Sequence, residues 1–183
     1  MVEGEFWGRE CRECKLSKPV EEMQVLCRGR PVIFGNMSNT LPENEGEIEE
    51  FVGEFEALTL PKERWTHGAH LLTGAWYVHG LGEAEALDRM RRNVSRYNVA
   101  MGGQNTATSG YHETVTAFWM KALAGLLQEC SRREGVGRAA FARMAVERFE
   151  GDREILRRFY DFDVVGSEEA RRVWVEPTLE RLG

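Results

Sequence analysis

The chain of 183 residues has the length of one domain, with enough material to bury a core. Apolar residues make up 42% and charged residues 30%, and the net charge is −6; this acidic balance argues against nucleic acid as the main partner, because phosphate binding needs a basic field. No apolar run reaches the ~18 residues of a membrane span, and MVEGEFWGRE lacks the basic and apolar regions of a secretory signal, so the expected location is the cytoplasm.

Residues 1–45 stand apart. They carry Cys11, Cys14 and Cys27, three of the five prolines, and little regular periodicity. They read as a poorly ordered or loosely docked extension. Cys11-x-x-Cys14 with Cys27 hints at a zinc knuckle, but only three thiols are present and no histidine is close enough to complete four.

Residues 46–183 read as a single helical domain. GEIEEFVGEFEAL places Ile48, Phe51, Val52 and Phe55 at helical spacing. Thr59-Leu60-Pro61 has the form of a cap and a Pro-led first turn. The next helix starts at Lys62 or Thr66 and runs to His79, stopping at Gly80-Leu81-Gly82. A third, amphipathic helix rests on Ala84, Leu87, Met90, Val94, Tyr97 and Met101, and GGQNTATSG is a loop. A fourth helix spans about Tyr111 to Cys130. Shorter helices follow near 137–149, 152–160 and 168–175, the last capped by Ser167. The expected fold class is all-α: a bundle of about four main helices with short C-terminal helices packed at one end.

Three of the four histidines fall inside the two most apolar segments. Between Thr66 and Gly82 there is no Asp, Glu, Lys or Arg, so this helix should be surrounded by protein. His67 and His70 are three apart and share a face, and Gly74, one turn on, leaves room for a ligand or for a closely packed helix. In the fourth helix Thr114, Lys121 and Gln128 form one polar stripe, the expected solvent face. His112 lies opposite that stripe and should point inward.

Burying an imidazole without a partner costs ~1–3 kcal/mol, and a metal ion is an economical common partner. His67, His70 and His112 are therefore the candidate ligands of one divalent ion, with Zn, Fe, Mn and Ni all compatible. An open coordination position would let the ion activate water, in a pocket expected to include Trp76, Trp119 and Tyr111. Glu113 is the candidate general base, and Tyr111 and Thr116 are candidate hydrogen-bonding groups. Glu56, or else Glu54, is a candidate fourth ligand. His79 reads as a C-terminal cap of its helix. Arg89, Arg92 and Arg96 form a basic stripe suited to an anionic substrate or to the acidic first helix. Asn98, Gln104 and Asn105 belong to a loop that could serve as a lid.

ALTLPKERWTHGAHL, GYHETVTAFW and SEEARRVWVEPTLERL together resemble a family of small bacterial and fungal helical proteins. Its members carry Thr-His-x-x-His-Leu, Tyr-His-Glu-Thr and Glu-Pro-x-Leu segments. The resemblance covers about residues 50–183. It implies that His67, His70 and His112 belong to one site, and it implies no substrate. The bundle is also similar in outline to the DinB/YfiT-like metal-binding bundles, which use His-x-x-x-His rather than His-x-x-His.

Two functions follow. One is a metal-dependent, hydrolase-like enzyme acting on a small molecule. The other is a non-catalytic helical domain that binds a ligand or partner and keeps its histidines as buried structural groups. A metal-free acid–base enzyme on His112 and Glu113 is a third. Trp65, Trp76 and Trp119 suit either one core or the face of a homodimer.

Overall fold

The computed structural model describes residues 40–131, 135–152 and 154–180. These residues form seven α-helices and one 3-10 turn, with no strand among them. The protein is an all-α bundle. The helices are α1 (Glu45–Glu56), α2 (His67–Leu81), α3 (Glu83–Ala100), α4 (Glu113–Ser131), α5 (Arg138–Phe149), α6 (Leu156–Phe159) and α7 (Glu168–Arg172). All belong to one compact unit, Asn39–Gly183. Cys11, Cys14, Cys27 and most of the expected extension lie outside the described residues. No helix of the described residues is long and apolar enough to cross a membrane.

Local chemistry sets most boundaries. The Asn44 side chain accepts from the Glu47 backbone N–H at 3.0 Å and opens α1. The four apolar positions expected to face inward, Ile48, Phe51, Val52 and Phe55, are the buried ones. Leu58 then takes the left-handed region (φ 64°), which turns the chain so that Thr59 and Leu60 donate to the Glu54 carbonyl. Pro61 leads only a 3-10 turn, Lys62–Arg64, and α2 begins afresh at Thr66, whose hydroxyl accepts from Ala69 N–H. Gly82, at φ 78°, both ends α2 and starts α3. Ser167 caps α7 by accepting from Ala170 N–H at 3.2 Å.

The charge-free α2 sits at the centre, contacted by α3, α4 and α5. A helix apolar all round has no solvent face to offer, so enclosure is its stable position. α5 packs along α2 more extensively than any other helix does. It is thus a principal member of the bundle rather than one of the short helices at its end. Arg138, at the start of α5, stacks its guanidinium 3.8 Å from the centre of the Trp76 ring and donates to the Trp76 carbonyl at 2.9 Å. Gly80 makes that possible, since a Cβ there would lie 2.7 Å from the guanidinium. Trp76 is therefore covered by Arg138 and is absent from the cavity that His67 and His70 line.

The expected solvent stripe of α4 needs correction. Thr114 is fully buried. Its hydroxyl donates to the Val173 carbonyl at 2.7 Å and accepts from Val175 N–H at 3.0 Å. α7 and the strap after it lie over this face, and Lys121 reaches Glu83 at 3.3 Å and the Trp174 ring. Of the three stripe residues only Gln128 is exposed.

Candidate functional site

The first turn of α2 organises the site. The Thr66 carbonyl accepts from His70 N–H and lies 2.7 Å from His70 Nδ1. A carbonyl can only accept, so in the neutral ring Nδ1 carries the proton and Nε2 carries the lone pair. Trp65 packs on the His70 ring with centroids 4.2 Å apart, and Phe55 stacks on Trp65 at 4.0 Å. Burial pushes the His70 pKa down to about 4, against a smaller upward pull from the Thr66 carbonyl and with a further downward push from His67. His67, one turn earlier, sets its ring against Trp119 at 5.2 Å, edge to face.

Between α2, α3 and α4 lies a cavity of about 310 Å³. His67, His70, Leu71, Met90, Val94, Val115, Thr116, Trp119, Met120 and Leu123 line it. Gly74 underlies one wall. A Cβ there would come within 2.9 Å of Leu123 Cδ1 and 3.4 Å of Met120 Sδ, so the missing side chain admits α4's apolar residues.

The structure does not bring His112 to this cavity. His112 is buried, but its Nε2–H donates to the Val164 carbonyl at 3.1 Å, and its Nδ1 accepts from Val115 N–H at 3.3 Å. Both nitrogens are engaged by backbone, so the burial anticipated from the helical wheel is satisfied without an ion. Burial, with the Arg171 charge adding to it, lowers the His112 pKa. Among the described residues no three His, Cys, Asp or Glu side chains are grouped to hold a metal ion. The donor set therefore does not fit a three-histidine metal centre in this structure.

The expected general base is occupied too. Both Glu113 oxygens take hydrogen bonds from Arg91 Nε, at 3.0 and 3.1 Å, and Arg91 Nη2 adds a further contact. The Tyr111 hydroxyl donates to the same carboxylate at 2.7 Å. Burial pulls the Glu113 pKa up, but the Arg91 and Tyr111 hydrogen bonds outweigh it and hold the group below the usual carboxylate range. A carboxylate so loaded is a poor general base. Tyr111, whose phenol is raised first by burial and then by Glu113, belongs to this cluster and not to the histidine cavity. Thr116 does line the cavity.

The remaining candidates are structural. Glu56 accepts from the Tyr77 hydroxyl at 2.6 Å and pairs with Arg89 at 2.9 Å, while Glu54 pairs with Arg64. Arg89 thus faces the acidic first helix, and Arg92 and Arg96 are exposed. His79 Nε2–H donates to the Val136 carbonyl, fastening the lead-in to α5 rather than capping α2. The loop before α4 is bonded in place: Asn105 Oδ1 accepts from Asn98 Nδ2 and Tyr111 N–H, and Asn105 Nδ2 donates to the Ser95 carbonyl. Such a loop is not built as a lid. The Cys130 thiol lies 3.5 Å from Met144 Sδ in a half-buried position.

Sequence reasoning did not identify Leu71, Met90, Val94, Val115, Met120 and Leu123 as cavity walls. Their signal was there, as the apolar faces of three helices, but periodicity marks a covered face and not a gap within it. Comparison with family models, curated proteins and solved structures finds no match to this chain.

Proposed function

We propose that the protein is a small-molecule-binding domain whose ligand occupies the cavity between α2, α3 and α4. One observation carries the reading: the about 310 Å³ cavity is lined by seven apolar side chains and only three polar ones, His67, His70 and Thr116. A mostly apolar recess of ~300 Å³ or more with a few convergent polar groups is the usual form of a ligand site. The polar groups sit on helices and are locked by packing, which suits orientation of a ligand. This is the non-catalytic reading of the sequence, with a small molecule and not nucleic acid or a membrane as the partner. The metal-dependent hydrolase reading has less support, because both His112 nitrogens are already bonded to backbone.

The test is titration with the neutral fluorescent arene N-phenyl-1-naphthylamine, comparing the natural protein with Val94→Trp. Val94 lines the cavity, and an indole there would fill much of it. The expected result is saturable binding by the natural protein and its loss in Val94→Trp, with helical circular dichroism unchanged. Equal binding by a folded Val94→Trp would overturn the proposal.

A further inference from the structure

We propose that the cavity, on the reading that it holds a small molecule, selects neutral, largely apolar compounds bearing one hydroxyl or N–H, and that the selecting contact is a hydrogen bond donated to His70 Nε2. The argument starts from the tautomer. With Nδ1–H committed to the Thr66 carbonyl at 2.7 Å, the ring that lines the cavity offers a lone pair and no proton. Trp65 against its face and the bond to its own helix fix the ring, so the acceptor is in position before a ligand arrives. The Thr116 hydroxyl is shared with the Tyr111 phenol and is not the deciding group.

Charge sets the second half of the selection. No Lys, Arg, Asp or Glu lines the cavity. Arg89 and Arg91, on either side of the cavity residue Met90, are held by Glu56 and Glu113 respectively. A carboxylate entering this recess would lose its water and meet no counter-charge, which is costly. The first turn of α2, where both histidines sit, also disfavours positive charge on them. An apolar compound without a donor would fit the walls but leave Nε2 unpaired, at the cost of burying an unsatisfied group.

Calorimetric titration of the full chain with p-cresol, toluene and p-toluate separates these properties, because the three share a ring and a methyl group. The natural protein should bind p-cresol about 3- to 10-fold tighter than toluene, the range of one net hydrogen bond, and p-toluate more weakly than either. In His70→Asn the shorter amide can still donate to the Thr66 carbonyl but presents nothing at the Nε2 position. There the p-cresol preference should fall below about 2-fold while toluene binding persists. His70→Gln, which carries an acceptor near the Nε2 position, should restore part of the preference. Equal binding of p-cresol and toluene by the natural protein overturns the selection and leaves the cavity reading intact. So does tightest binding of p-toluate, or an undiminished preference in His70→Asn. Binding of none of the three overturns the cavity reading and this inference with it. If His70→Asn loses its circular dichroism, the three-ligand comparison on the natural protein decides alone.

Discussion

Acid should destabilise this protein through His70, and the size of the effect can be worked from its position. The ring is kept neutral in the folded state, with a pKa pushed from 6.5 to about 4 by burial. Above about pH 6.5 neither the folded nor the unfolded state protonates it, and its contribution to stability is fully present. As pH falls from there, the unfolded chain takes up the proton first, so stability is lost until the folded ring also titrates near 4. At about 1.4 kcal/mol for each tenfold difference in proton affinity, the whole span is ~3 kcal/mol. Most of it, about 2–3 kcal/mol, should be gone by about pH 4.5. The assay is urea unfolding at about pH 7.5 and 4.5 on the natural chain and on His70→Asn. Carboxylates and His112 contribute to both chains and cancel in the difference. His70→Asn should lose less stability on acidification, by about 2 kcal/mol or more. Equal losses would refute the reasoning, since they would mean that the His70 ring titrates freely in the folded protein.

Three other outcomes are expected. The Thr73 hydroxyl is buried with no hydrogen-bond partner among the described residues, so Thr73→Val should raise stability by up to ~1 kcal/mol in thermal unfolding. Thr114→Val leaves the Val173 carbonyl and Val175 N–H without their shared partner; it should cost ~2–3 kcal/mol and speed hydrogen exchange at Val175. Zn²⁺ titrated into the tag-free chain with Cys11, Cys14 and Cys27 changed to Ser should bind with an affinity on the order of 10 µM or weaker, since among the described residues no third His, Cys, Asp or Glu side chain joins His67 and His70. Tight, stoichiometric binding abolished by His112→Ala would contradict the geometry of that residue.

How far the sequence carried varied by element, for physical reasons. The buried positions of α1 and the enclosure of α2 were legible, because both follow from where charge is absent. Ser167 declared itself as a cap through its side-chain chemistry, whereas Thr59-Leu60-Pro61 placed the expected cap too early and Thr66 is the residue that caps α2. Thr114 misled because a threonine in line with Lys121 and Gln128 reads as solvated. Its cover arrives from residues about sixty positions away, and no local pattern encodes that. His112 was correctly expected inside. Its wheel position gave the direction of the ring but not the identity of its partner, which is the Val164 carbonyl of a distant loop. The histidine pair on α2 was visible from spacing alone, whereas the cavity beside it required the mutual placement of three helices.

The most direct test of the account is where a small apolar ligand sits. With methyl-labelled protein and toluene, nuclear Overhauser contacts should appear at Leu71, Met90, Val94, Val115, Met120 and Leu123, whose methyl groups line the cavity. Contacts confined to exposed apolar side chains such as Val165 and Leu179, with those cavity methyls silent, would contradict it.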